Sequence, residues 1–242
     1  MNLNERFNKP QMVILCGGRG TRLEPITKDI PKSLIEVGGK PFIFHQLDLL
    51  QGMGFSSIIL CCYHRGEMIR DAVGYFYEDL DILYSFEKDK PLGTAGAIKY
   101  ALPLLDRHFF VMSGDSYLPD IDYEKMLDVF VLTDYKSIVM ATYKNQDKFD
   151  KSNIKIKKGK IIKYDKNKKA KGLQHIDYGA SLFDREIFKE LGDNRFIDLS
   201  EVYQDFVEDG RLHSAEMESR FYEIGSLEGI RDLEEYLENR ND

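Results

Sequence analysis

The sequence predicts an α/β fold in which a mostly parallel central sheet is covered by helices. Three observations lead there. The run Met12-Val13-Ile14-Leu15-Cys16 is continuously apolar and stops at Gly17-Gly18-Arg19-Gly20, the pattern of a strand buried on both faces that runs into a glycine turn. A helix-like segment and another apolar run follow, and the alternation repeats, as it does when helices cross between parallel strands. Lastly, Phe109-Phe110-Val111-Met112 leads into Ser113-Gly114-Asp115, which puts a carboxylate at the carboxyl edge of the sheet, where open α/β folds bind ligands.

Taken in order, Pro41 to Met53 carries Phe44, Leu47, Leu50 and Met53 three residues apart, the spacing of one helix face. Ser57 to Cys62 is the next strand. Glu67 to Phe76 reads as a helix, Ile82 to Phe86 as a short strand, and Thr94 to Leu105 as a helix before the strand Phe109 to Met112. The second half is less regular. Ser137 to Tyr143 is a strand, Asn153 to Tyr164 a hairpin turning at Lys158-Gly159, and Lys166 to Lys171 a solvated basic loop. Tyr178 to Phe183 is a strand, Leu199 to Val207 a helix, Phe221 to Ile224 a strand-like return and Leu227 to Leu237 a closing helix. Such short strands predict a small substrate-facing subregion on the same sheet. No linker rich in Pro, Gly or Ser separates two domains, so residues 1–242 are read as one.

Composition narrows the function. At 242 residues and 43% hydrophobic content, the chain can bury a sizeable core. Its 34 Lys and Arg against 41 Asp and Glu give a net charge of -7, the wrong sign for a general nucleic-acid coat. The longest apolar runs fall far short of the roughly 20 residues needed to span a bilayer. The opening MNLNERFNKPQ mixes both charge signs without an apolar stretch, which argues against a secretory signal. A cytoplasmic protein without nucleic-acid or membrane partners is expected, with homo-oligomerisation left open. Cys16, Cys61 and Cys62 all sit in strand-like apolar runs, as reduced core residues do. The five histidines form no ligand set; His175 alone lies near the expected substrate region.

Chemistry concentrates after the first strand. Three glycines in Gly17-Gly18-Arg19-Gly20-Thr21-Arg22 let backbone N–H groups approach a polyphosphate and cradle it. Arg19 and Arg22 can grip phosphate oxygens with paired donors, and Pro31-Lys32 adds an ammonium group suited to an oxygen whose charge changes during phosphoryl transfer. The P-loop tripeptide Gly-Lys-Ser/Thr is missing, and Leu23 stands where a dinucleotide fingerprint needs its third glycine.

The stretch GGRGTRLEPITKDIPKSL, Gly17 to Leu34, resembles the N-terminal signature of the bacterial sugar-phosphate nucleotidyltransferases, the pyrophosphorylases that make nucleotide-sugars. The resemblance continues through Pro91-Leu92-Gly93-Thr94-Ala95-Gly96-Ala97, Ser113-Gly114-Asp115, Tyr164-Asp165-Lys166, Gly179 and Phe221-Tyr222-Glu223-Ile224-Gly225. It implies a glycosyltransferase-A-like, Rossmann-like sheet with an NTP-binding half over about 10–115 and an acceptor-binding half over about 116–242. Nucleotide contacts are then expected from Leu15, Gly17, Gly18, Arg19, Gly20, Thr21, Arg22, Pro91, Gly93, Thr94 and Gly114. Arg22, Lys32 and Asp115 are the catalytic candidates, Asp115 and Glu223 the Mg²⁺ ligands, and Lys166, Asp165, Asp177 and Gly179 the acceptor contacts. Three positions depart from the family pattern: Glu223 replaces Asp, Asp165 replaces Glu, and Asn167 stands where Pro is common.

The implied reaction is a direct displacement, in which a phosphate oxygen of a sugar 1-phosphate attacks the α-phosphorus of an NTP and pyrophosphate leaves. The short chain is similar to heptose and mannose 1-phosphate guanylyltransferases that serve surface-polysaccharide synthesis, so GTP and a heptose-like sugar 1-phosphate are the preferred substrates. The residues themselves leave purine and pyrimidine open. The alternatives are cytidylyl transfer to a phosphorylated non-sugar and a non-catalytic nucleotide-sugar-binding protein.

Overall fold

The computed structural model describes residues 11–167, 169–193 and 195–240. The opening segment read above as no secretory signal lies, up to residue 10, outside the described residues, as does Lys168 of the basic loop.

The strands are β1 (Gln11–Leu15), β2 (Glu36–Val37), β3 (Lys40–Pro41), β4 (Ser57–Cys62), β5 (Phe76–Tyr77), β6 (Leu80–Phe86), β7 (His108–Ser113), β8 (Ser116–Tyr117), β9 (Ile138–Tyr143), β10 (Ile154–Lys157), β11 (Lys160–Tyr164), β12 (Ile176–Asp184), β13 (Leu212–Met217) and β14 (Tyr222–Glu223). The helices are α1 (Phe42–Gly52), α2 (Gly66–Val73), α3 (Gly93–Tyr100), α4 (Tyr123–Leu132), α5 (Glu186–Lys189), α6 (Leu199–Glu208) and α7 (Leu227–Arg240). One ten-stranded mixed sheet runs β10-β11-β13-β9-β12-β7-β1-β4-β6-β5. Its block β7-β1-β4-β6 is parallel throughout, whereas β12 runs antiparallel to both β7 and β9.

The apolar run of β1 is explained by its place. Successive side chains of a strand point to opposite faces, so Met12 and Ile14 enter a core with Ile43 and Leu47 of α1. Val13 enters the opposite core with Ala95 and Ile98 of α3. Strand β7 splits in the same way, Phe110 and Met112 to one side, Phe109 and Val111 to the other. A third cluster, with Leu23, Ile35, Phe42, Ile224 and Leu233, lies beneath α7. It ties the glycine-rich segment to β14 and the closing helix.

Several boundaries differ from the sequence reading. The helix expected to reach Phe76 ends at Val73, because Gly74 takes φ 75 and ψ -162, and Phe76 and Tyr77 return as an edge strand on β6. The helix expected to reach Leu105 ends at Tyr100 and a 3-10 turn follows at Leu102–Leu104, where Pro103 has no N–H to continue the α ladder. Short strands aside, helix α4 and strand β13 are the longest elements absent from the sequence reading. Helix α4 buries Tyr123, Met126, Leu127 and Phe130, with Asp122 accepting the Lys125 N–H as its cap. Strand β13 lies between β9 and β11 and carries His213, Ser214 and Glu216 among its residues, too polar a run to read as a sheet interior. Ser214 is satisfied there by Thr142, their hydroxyl oxygens 2.7 Å apart.

Candidate active site

Because β1 and β7 are parallel neighbours with Leu15 opposite Ser113, their carboxyl ends place Cys16-Gly17 beside Gly114-Asp115. The approach is close enough to exclude a side chain: a Cβ on Gly114 would lie 2.4 Å from the Leu15 carbonyl oxygen. Beyond Gly17 the chain folds back on itself. Gly20 adopts φ 66, and its carbonyl accepts the Leu23 N–H at 2.9 Å and the Thr27 hydroxyl at 3.0 Å. A left-handed residue here favours glycine. A further 3-10 turn at Lys32–Leu34 delivers Lys32, whose Nζ lies 2.7 Å from Asp115 Oδ2.

These pieces enclose a cavity of about 440 Å³. Leu15, Gly17, Gly18, Gly20, Thr21, Arg22, Lys32, Pro91, Gly93, Thr94, Gly114 and Asp115 all line it. The catalytic candidates and most of the expected nucleotide contacts therefore share one hollow, although 83 residues separate Lys32 from Asp115. Arg19 does not line the hollow; it is exposed at the turn.

On the far wall the amino ends of α3 and α6 meet. The Ile197 carbonyl accepts the N–H groups of Ala95 and Gly96 at 3.0 and 3.2 Å, while the Leu199 N–H donates to Thr94 Oγ1 at 2.7 Å. Gly93, at φ 77, would place a Cβ 2.4 Å from the Ile197 carbonyl oxygen, so close backbone packing by itself requires this glycine. Glu87 also lines the cavity, unnoticed in the sequence. Its carboxylate accepts the Leu92 N–H, and a Cβ on Gly17 would stand 3.3 Å from its Oε1. Burial pushes the Glu87 carboxyl pKa up, against the opposite pull of the Leu92 N–H.

The expected acceptor residues are less concentrated. Lys166 is half-exposed, and its Nζ lies 2.6 Å from Asp198 Oδ2; Asp198 lines the cavity. The Asp165 carboxylate is turned to its own loop. There it accepts the N–H groups of Asn167, Lys169 and Ala170 at 3.1, 2.9 and 2.6 Å. Those bonds, Ala170 first, hold its carboxyl below the usual range. Asp177 likewise accepts the Gly179 N–H at 2.9 Å, and neither residue lines the cavity. Gly179, at φ 96, sits where the β12–β9 register shifts, and its missing Cβ leaves room for Ser116 Oγ. His175 stands 3.2 Å from Glu216 of β13.

Glu223 is tied to the site by its backbone, and its side chain borders it. It pairs with Ser116 across the β8–β14 ladder, and the next N–H, of Ile224, donates to the Asp115 carbonyl at 3.0 Å. Its carboxylate, however, accepts the Gly225 N–H at 2.6 Å and lies 3.4 Å from the Ser226 hydroxyl. A Cβ on Gly225 would touch both this carboxylate and Arg22 Nη2, so acid and guanidinium border the same glycine. Among the described residues no group of three or more His, Cys, Asp or Glu side chains could hold a metal. Magnesium commonly uses only one or two carboxylates and completes its shell with phosphate oxygens and water. Asp115 and Glu223, on adjoining strand ends, have that chemistry.

A family model for nucleotidyl transferase matches residues 11–240. The chain belongs to the nucleotidyl transferase family. It is 31% identical over 216 residues to a D-glycero-alpha-D-manno-heptose 1-phosphate guanylyltransferase of Campylobacter jejuni, covering 89% of this chain and 94% of that one. A mannose-1-phosphate guanyltransferase of Emericella nidulans is 27% identical over 221 residues, 88% of this chain and 60% of that longer protein. In three dimensions the chain is similar to the crystal structure of HddC from Yersinia pseudotuberculosis complexed with GMP-PN. The TM-score is 0.76 at 25% identity, over 94% of this chain and 99% of that one. As a member of the family this nucleotidyltransferase is an enzyme of nucleotidyl transfer. The three cysteines are free and buried, and among the described residues no helix is long and apolar enough to cross a membrane.

Proposed function

We propose that this nucleotidyltransferase transfers GMP from GTP to a heptose-type sugar 1-phosphate, releasing pyrophosphate and forming a GDP-sugar. The observation that carries the reading is the convergence of the glycine turn, Arg22, Lys32 and Asp115 on one cavity; the likeness to a heptose 1-phosphate guanylyltransferase and to a protein crystallised with GMP-PN supports the choice of base and sugar. An oxygen of the acceptor phosphate attacks the α-phosphorus, the new P–O bond forms as the bond to pyrophosphate breaks, and the leaving group carries the electron pair away. No general base is needed, because the second proton of a phosphate monoester has a pKa of about 6 and the nucleophile is largely anionic at neutral pH.

Alignment and charge neutralisation must then do the catalysis. The amides of Gly17 to Thr21 face the phosphate chain, Arg22 neutralises the leaving end, and Lys32 bridges Asp115 and the reacting phosphate. Lys166 meets the acceptor phosphate. Mg²⁺, held by Asp115 with Glu223, supplies further positive charge at the α-phosphate when bound.

The test is a panel of GTP, ATP, CTP, UTP and dTTP against heptose, mannose and glucose 1-phosphates and inositol 1-phosphate, with Mg²⁺, read by pyrophosphate release and product mass. GDP-heptose as the fastest product is expected. CDP-inositol as the sole product would replace this reading with cytidylyl transfer to a non-sugar, and nucleotide binding without pyrophosphate from any pair would leave a binding protein.

A further inference from the structure

Lys166 sits on a loop and is half-exposed, yet its ammonium is held 2.6 Å from Asp198. Asp198 is unusually well fixed. It caps α6, its Oδ1 accepting the Ser200 N–H at 2.9 Å, and its own N–H donates to Glu201 Oε1 at 3.0 Å in a reciprocal capping box. The adjoining Leu199 N–H is bonded to Thr94 Oγ1 on α3, so the far wall of the cavity is braced through this one turn. Asp198 lines the cavity, whereas the loop bearing Lys166 is organised by Asp165 and meets the cavity wall through the Lys166–Asp198 pair.

We propose that Asp198 is a positioning residue: it uses the free oxygen of its cap to hold the Lys166 ammonium at the cavity wall, ready for the acceptor phosphate. This rests on the reading of Lys166 as the acceptor-phosphate contact. An unpaired lysine on a loop would spread over many rotamers and lose entropy on binding; one already fixed loses less. The pair also spares the cavity wall an uncompensated carboxylate, because the lysine is bonded to it. Burial raises the Asp198 carboxyl pKa, but the Lys166 and Ser200 bonds outweigh it and the net shift is downward, so the group is charged at neutral pH.

Asp198→Asn separates the two duties, since asparagine caps helices as well as aspartate does but offers Lys166 an amide in place of an anion. With GTP saturating and the panel's best sugar 1-phosphate varied, the acceptor KM should rise roughly tenfold, the loss expected for one charged hydrogen bond. The GTP KM and the melting temperature should stay near wild type. A double-mutant cycle decides whether the effect passes through the lysine: in a Lys166→Ala background, Asp198→Asn should change the acceptor KM little. Equal effects in both backgrounds, or a lower acceptor KM in the single variant, would overturn the proposal. If Lys166→Ala alone leaves the acceptor KM unchanged, the phosphate contact assigned to Lys166 fails instead. The pair has a readout without any acceptor: acylation of the Lys166 amine, followed by mass spectrometry, should be several-fold faster in Asp198→Asn, and unchanged labelling would reject the tether.

Discussion

The two sides of the cavity are built by different means. On the proposed nucleotide side, backbone holds backbone: β1 and β7 are laddered neighbours, Gly114 is pressed against the Leu15 carbonyl, and Gly20 closes a left-handed turn. On the proposed acceptor side, charged side chains make the contacts, with Lys166 tied to Asp198 and Asp165 gathering loop amides. Steric exclusion tolerates no substitution, whereas ion pairs and exposed loop contacts can be loosened by degrees. The nucleotide side should therefore fail abruptly when altered and the acceptor side gradually.

The largest effect is expected at the steric contact. Gly114→Ala must displace either β1 or β7, costing about 1–3 kcal/mol as overpacking does, and nucleotide turnover should disappear with it. Chemical unfolding together with pyrophosphate release measures both, and near-normal activity would break the contrast. Lys32→Met comes next. It keeps the stem and removes the charge, so kcat should fall about 100- to 1000-fold, as when an oxyanion donor is lost, while GTP binding measured by calorimetry changes far less.

Glu223→Asp shortens the carboxylate by one methylene and sharpens the comparison at the boundary between the two sides. The shorter carboxylate can keep the Gly225 N–H, as Asp177 keeps that of Gly179, but withdraws from the Ser226 hydroxyl, costing less than about 1 kcal/mol of stability. The Mg²⁺ concentration for half-maximal rate should move less than in Asp115→Asn, measured by metal titration of the initial rate.

The smallest effect lies in the acceptor loop. The Asp165 carboxyl is depressed by amides that bond its charged form, so the order it imposes is present above its unfolded value of about 3.9 and lost as pH falls through the lower folded value. Hydrogen exchange at Asn167, Lys169 and Ala170 should show protection at neutral pH that disappears at strongly acid pH, and Asp165→Asn should be weakly protected at both.

Legibility followed the same division. Strands β1, β4 and β7 could be read because a strand buried on both faces must be apolar at every position, and the turns after them could be read because glycine marks backbone that has no room for a side chain. Strand β13 could not: its polar residues are satisfied by partners such as Thr142, far away in sequence. Helix α4 is legible in principle, since Asp122 and the spacing of Tyr123, Met126, Leu127 and Phe130 are those of a capped amphipathic helix. Asp165 and Asp177 stand in the right segments, yet the direction of a short carboxylate depends on which amides lie nearby.

By itself the sequence determined the reaction class and the order of strand and helix in the parallel block. Only the tertiary structure decided that Lys32 reaches Asp115, that Glu223 turns its carboxylate toward the start of α7, and that Asp198 faces Lys166. Local backbone geometry is written in neighbouring residues, whereas the meeting of side chains from distant segments is fixed by the packing of the whole sheet and its helices.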